Sequence, residues 1–164
     1  MWLNLIGFNL IWLGLVLLGN SFILVVIPLL ILHFYYCPNR QEELRLMVLV
    51  VVIGTFIDSM LIQFGIFSFA GLDHIPYWLI TLWLAFACTL SYSLHFLARS
   101  RFLQCAVGCF LAPLSYLAGE RLGAVSFQYS TLHTYFVLAV IWGHLLVLFF
   151  TIQQKIYQGT RNHD

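Results

Sequence analysis

The chain has 164 residues, of which 62% are hydrophobic and 8% charged, with a formal net charge of +1. A soluble domain carries roughly 25% charged residues, so this composition excludes an ordinary soluble module and predicts a single lipid-embedded domain. The near-neutral charge supplies no basic stripe, which removes nucleic-acid binding from consideration.

Six apolar segments fill the chain. The first, Met1 to Gly19, has no Lys or Arg ahead of it and no small-x-small cleavage site before Asn20, so it is expected to be a retained span rather than a signal peptide. The second, about 22–36, contains Pro28 and ends on the pair Tyr35-Tyr36, which suits the aromatic belt of a membrane interface. The polar loop CPNRQEELR follows, then a third segment over 44–64 carrying Asp58. The stretch GIFSFAGLDHIP holds Gly and Pro punctuation and no basic residue. The fourth segment is predicted over 77–98, the fifth over 102–118 with an extension to 124, and the sixth over 132–156 before the tail GTRNHD. Each is near the ~20 residues needed to cross a hydrocarbon core. The fold class expected is therefore all-α: a polytopic membrane protein, a bundle of six transmembrane helices forming one domain.

Basic residues fall in alternate gaps. Arg40 and Arg45 lie in the second gap, Arg99 and Arg101 in the fourth, and Lys155 and Arg161 near or beyond the end of the last segment. Short Lys- and Arg-rich loops stay cytoplasmic, so both termini are predicted inside, and only Arg121 breaks the pattern. No convincing internal repeat is present, which weakens an inverted-repeat transporter reading.

Polar residues within the segments recur at helical spacing: Thr81, Ala85, Cys88, Tyr92 and His95 in the fourth, His133, His144, Thr151 and Gln154 in the sixth, and Asn4, Gly7 and Gly14 in the first. In lipid such stripes mark faces that meet other helices, and interhelical hydrogen bonding explains them without an active site. In the fifth segment Pro113 frees the carbonyl of Cys109 and predicts a kink. Gly108, Ala112, Ser115, Gly119 and Gly123 form a ridge of small residues there, suited to close approach of another helix of this chain or of a homo-oligomer or membrane partner.

Ionisable groups inside an apolar segment are costly unless paired or facing water. Counting ~1.5 Å per residue from the basic anchors puts Asp58 ~20 Å, Tyr116 ~22 Å and His144 ~16 Å from the cytoplasmic end, so they can share a layer. Glu120 and Arg121 fall at about 28–30 Å, near the outer edge of the core. Arg121 can snorkel inward to Asp58 or outward to headgroups. A polar centre of Asp58, Tyr92, Tyr116, Glu120, Arg121 and His144 is expected to bind a ligand. The four cysteines form no CxxC and predict neither a disulfide framework nor a zinc ribbon. His33 and Cys37 have the spacing of two ligands on one helix face, yet no acidic fourth ligand is expected beside them and histidines at membrane interfaces are ordinary, so no metal and no cofactor is assigned. HExxH, GxSxG and phosphate-binding glycine loops are all missing.

The residues Gly54-Thr-Phe-Ile-Asp58-Ser, Trp83-Leu-Ala-Phe-Ala with Thr89 and Ser93, and above all Ala112-Pro-Leu-Ser-Tyr116-Leu-Ala-Gly-Glu-Arg121-Leu-Gly carry a resemblance. Over essentially its whole length the chain resembles the DUF2878 family of bacterial inner-membrane proteins, a family of unknown function. The family pattern has Asn where this chain has Ser91-Tyr92. The resemblance transfers no catalytic residue. It implies a multi-pass protein of the bacterial inner membrane, and its usual gene neighbours, resembling cyclopropane-fatty-acid synthases and flavin-dependent proteins, imply membrane-lipid modification or photooxidative stress. Three functions are thus open: an accessory or ligand-binding role in lipid metabolism, transport of a proton or small solute through an Asp58–His144 relay, and a structural partner docking through the glycine ridge. A lipid-sized lateral opening near the ionisable groups favours the first, a continuous polar channel the second, and a dry bundle with its ridge outward the third.

Overall fold

A computed structural model describes residues 2–161, with the side chains of Thr160 and Arg161 and the end of the polar tail, 162–164, outside the description. The chain is all-α, with helices α1 (Trp2–Leu18), α2 (Ile23–Tyr36), α3 (Arg40–Gln63), α4 (Tyr77–Leu90), α5 (Arg101–Phe110), α6 (Ala112–Arg121) and α7 (Thr131–Arg161). Among the described residues, four stretches are long and apolar enough to cross a membrane: Trp2–Tyr36, Arg40–Gln63, Arg101–Arg121 and Thr131–Gly159, with Tyr77–Leu90 a shorter apolar helix.

The first of these stretches folds back on itself. Gly19 adopts φ of 58°, a left-handed conformation that glycine takes without a Cβ penalty, and a short 3-10 turn, Gly19–Phe22, follows. Asn4 in α1 lies by the far end of α4, donating from Nδ2 to the Cys88 carbonyl at 3.4 Å, and the His33 ring at the end of α2 lies 5.1 Å from the Tyr92 ring. Asn20, in the turn, instead accepts from the backbone N–H of Trp78 at the start of α4 (3.0 Å). So α1 runs antiparallel to α4 and α2 parallel to it, and the segment is a helical hairpin.

One helix ends sooner than the sequence indicates, and another breaks beside the proline that predicts a kink. The helix predicted over 77–98 stops at Leu90, and a turn and a 3-10 helix, His95–Arg99, continue the chain. Side chains stabilise the unwound backbone: Asn4 Oδ1 accepts from the N–H of Ser93, and Gln104 Nε2 donates to the Leu97 carbonyl. The helix predicted over 102–124 is two pieces, α5 and α6, parting at Leu111 just ahead of Pro113, whose ring is incompatible with an uninterrupted helix. Beyond α6, Gly123 (φ 77°) turns the chain into Ser126–Phe127 (β2), which pairs antiparallel with Phe67–Ser68 (β1) and ties the loops after α3 and α6 together.

The core lies among α3, α4, α5, α6 and α7. Trp83 stacks on Trp142 with centroids 5.2 Å apart, and Phe86 and Phe149 pack edge-on or tilted around them. Glycines permit the closest approaches. A Cβ on Gly54 would enter the Trp83 ring, and one on Gly108 would enter the Trp142 carbonyl, so the Trp83 side chain of α4 lies directly against the α3 backbone, and α5 meets α7 at nearly backbone contact. Many large apolar residues, Leu3, Leu24, Tyr36, Phe56, Phe102 and Phe136 among them, remain exposed around the outside.

Candidate functional site

Asp58 is completely buried on α3. A carboxyl group in such a place must be hydrogen-bonded, and Trp83 Nε1 donates to Oδ2 at 2.7 Å while the Tyr116 hydroxyl donates to Oδ1 at 3.0 Å. Gly54, one turn earlier on α3, opens the space that lets the Trp83 indole lie against the helix and reach the carboxyl group. Asp58 therefore joins α3, α4 and α6 at one point.

Trp83 and Tyr116 have a second face. Both line a cavity of about 320 Å³ whose other walls include Phe8 and Trp12 of α1, Phe86 of α4 and Trp142 of α7. That volume is within the ~300–1,000 Å³ range of ligand sites. The lining is overwhelmingly apolar, with Thr89, Ser115 and Asn9 among its few polar side chains. Along α4 the lining runs from Trp78 to Thr89, which at ~1.5 Å per residue is ~16 Å. The cavity is thus a long aromatic cleft between α1 on one side and α5–α6 on the other, with the Asp58 junction behind its wall.

Of the residues expected to share a polar centre, Asp58 and Tyr116 come together, and the others lie elsewhere. Tyr92 sits in the turn after α4, its hydroxyl 3.4 Å from Cys37 Sγ. Glu120 is half-buried and Arg121 exposed at the end of α6. His144 is exposed on α7, its Nδ1 2.7 Å from the Val140 carbonyl. The ridge of small residues is divided as well. Gly108 packs on α7, Ala112, Ser115 and Gly119 line the cleft, and Gly123 forms a turn.

A second polar cluster, not apparent from the sequence, gathers where α2 ends and α3 begins. Glu43 is 2% exposed; its Oε1 lies 3.3 Å from His33 Nε2, and Oε2 accepts from the Tyr157 hydroxyl at 2.9 Å. Tyr157 lies 3.4 Å from Ser91 Oγ, which accepts from Gln153 Nε2 at 3.1 Å. The first turn of a helix suits an acid because unpaired N–H groups point toward it, so Glu43 combines this local preference with contacts from α2 and α7. All four cysteines are free; Cys37 and Cys88 are buried and Cys105 is exposed.

The family described as Protein of unknown function (DUF2878) matches residues 1–148. The chain belongs to the DUF2878 family. No curated protein and no solved structure matches it. This DUF2878 protein thus combines an aromatic cleft, the Asp58 junction behind its wall and the Glu43 cluster.

Proposed function

We propose that this protein is a six-pass protein of the bacterial inner membrane that holds one apolar chain of a membrane lipid in the aromatic cleft, as an accessory or ligand-binding component of membrane-lipid modification. The cleft carries this reading. Its ~16 Å length along α4 is about half of a ~30 Å hydrocarbon core, the reach of one leaflet's acyl chain. Lipid tails are as apolar as the walls, so transfer from the bilayer contributes little. Retention rests on dispersion contacts with fixed aromatic rings and on a headgroup contact at one end. Arg121, exposed two residues beyond the cleft-lining Gly119, is suited to a phosphate or carboxylate headgroup. Asp58 acts as a positioning residue, holding the Trp83 and Tyr116 rings that form the inner wall.

The hairpin of α1 and α2 supports six passes, and the fold groups the charges accordingly. Arg40 borders the Glu43 cluster, and Gln154, beside Lys155, donates to the Ala98 carbonyl next to Arg99. Arg121 follows α6 toward the opposite end, where β1 and β2 pair. Cationic residues at the Glu43 end fit a cytoplasmic placement of both termini.

The Asp58–His144 relay has less support, because His144 faces outward and Leu46, Met47 and Val50 are buried between Glu43 and Asp58 on α3. The reading is tested with vesicles containing a phospholipid that bears a photoactivatable group in its acyl chain. Crosslinks should map to Phe8, Trp12, Phe86 and Trp142 and disappear in Ser115→Trp, which fills the cleft. Crosslinks spread evenly over all outward-facing helices, unchanged by that substitution, would show ordinary annular lipid and overturn it.

A further inference from the structure

The His33–Glu43 contact is part of a larger group. His33 on α2, Glu43 on α3 and Cys88 on α4 each offer one ligand atom, and those atoms lie within 4.8 Å of one another. They supply one nitrogen, one oxygen and one sulfur from three separate helices, with Glu43 and Cys88 almost fully buried and His33 partly so. We propose that His33, Glu43 and Cys88 form a binding site for a zinc-class divalent metal ion.

Geometry and chemistry agree on this class. Zinc takes imidazole nitrogen and carboxylate oxygen at ~2.0–2.2 Å and thiolate sulfur at ~2.3 Å in a tetrahedral arrangement. Tetrahedral angles with these lengths put an N and an O ligand ~3.3 Å apart, and His33 Nε2 and Glu43 Oε1 are 3.3 Å apart. Each sulfur–ligand separation would be ~3.6 Å, so Cys88 Sγ has to close by at most ~1.2 Å from the 4.8 Å limit of the group. The mixed N, O and S donor set excludes magnesium and calcium, which favour oxygen.

Two further observations fit. A cavity of about 170 Å³ between α1, α2 and α4 is lined by both His33 and Cys88, with Asn4 and Gly7 on its α1 side. Three protein ligands beside a cavity leave the fourth position for water or a small ligand, the pattern of reactive rather than purely structural zinc. The remaining oxygen of Glu43 accepts from Tyr157, which fixes the carboxylate as an outer hydrogen bond fixes a metal ligand. Cys37, the cysteine spaced four residues from His33, is engaged with Tyr92 instead.

The test uses the full chain in detergent, stripped by chelation and titrated with Zn²⁺ and Co²⁺. One ion per chain is expected, with a thiolate-to-cobalt charge-transfer absorption and tetrahedral ligand-field bands. Cys88→Ser should remove the charge-transfer band and His33→Gln should abolish stoichiometric binding, with helicity by circular dichroism and elution volume unchanged. Tyr157→Phe should weaken binding about 10- to 100-fold. Cys105 and Cys109 have sulfurs 3.9 Å apart near the surface and are the alternative source of such a band, so the double variant Cys105→Ser/Cys109→Ser must bind as wild type does. Wild-type protein that takes up no stoichiometric ion overturns the proposal. So does a cobalt band that survives Cys88→Ser or disappears in the Cys105/Cys109 double variant.

Discussion

Replacing Asp58 separates a hydrogen-bonding role from a role of its charge. The two donors to its carboxyl group come from α4 and α6 at 2.7 and 3.0 Å inside a fully buried site. Interhelical hydrogen bonds in membrane proteins are worth ~0.6 kcal/mol on average and up to ~1.7, so the pair contributes about 1–3 kcal/mol. Asp58→Ala removes both acceptors and leaves the Trp83 N–H and the Tyr116 O–H without partners. At about 1–3 kcal/mol for each orphaned group, the expected loss is about 2–6 kcal/mol. Asp58→Asn behaves differently. Its carbonyl oxygen can accept from Trp83, whose indole only donates, while its amide donates to the Tyr116 oxygen, which is donor and acceptor both. The cost should then stay at or below about 2 kcal/mol, about 1 kcal/mol for each of the two bonds if a charge-assisted bond becomes a neutral one. Equilibrium unfolding in mixed micelles, followed by Trp fluorescence, measures both. An alanine variant as stable as wild type would refute the claim that Asp58 ties the three helices. An asparagine variant as damaged as alanine would show that the charge, rather than the bonding pattern, is required.

Helix packing and topology give two further expectations. Gly108→Leu places a side chain where the Trp142 carbonyl lies, and because backbone cannot yield as a flexible side chain does, destabilisation should exceed the usual ~1–3 kcal/mol of overpacking; Gly7→Ala, inside α1 with nothing within 4 Å of the added Cβ, should instead stabilise by about 0.5–1 kcal/mol in the same micelle titration. Cysteine-accessibility labelling in cells should place residues introduced at Gln158 on the cytoplasmic side and at Gln128 on the periplasmic side, and the same side for both would break the six-pass reading.

What the sequence discloses is what depends on composition and local pattern. Apolar runs, Pro113 and the alternation of basic residues point to an all-α chain, its helix break and the grouping of Arg40, Arg99 and Lys155. The early end of α4 is not visible, because the backbone at Ser93 is satisfied by Asn4, 89 residues away. Depth counting pairs Asp58 with Tyr116 correctly but also with His144, since rise along a helix gives height and not azimuth. The partnership of Asp58 with Trp83 has one faint sequence signal, a glycine at position 54 one turn before the acid. Glu43 reads locally as a helix-starting acid, and its contacts with His33, Cys88 and Tyr157 follow only from packing α2, α4 and α7 around it.

Native mass spectrometry of the detergent-extracted protein tests the cleft most directly. Wild type should retain one lipid per chain through gentle delipidation, and Ser115→Trp should release it while keeping the same unfolding midpoint. Equal lipid retention by both proteins, or none by either, would contradict a lipid-binding cleft.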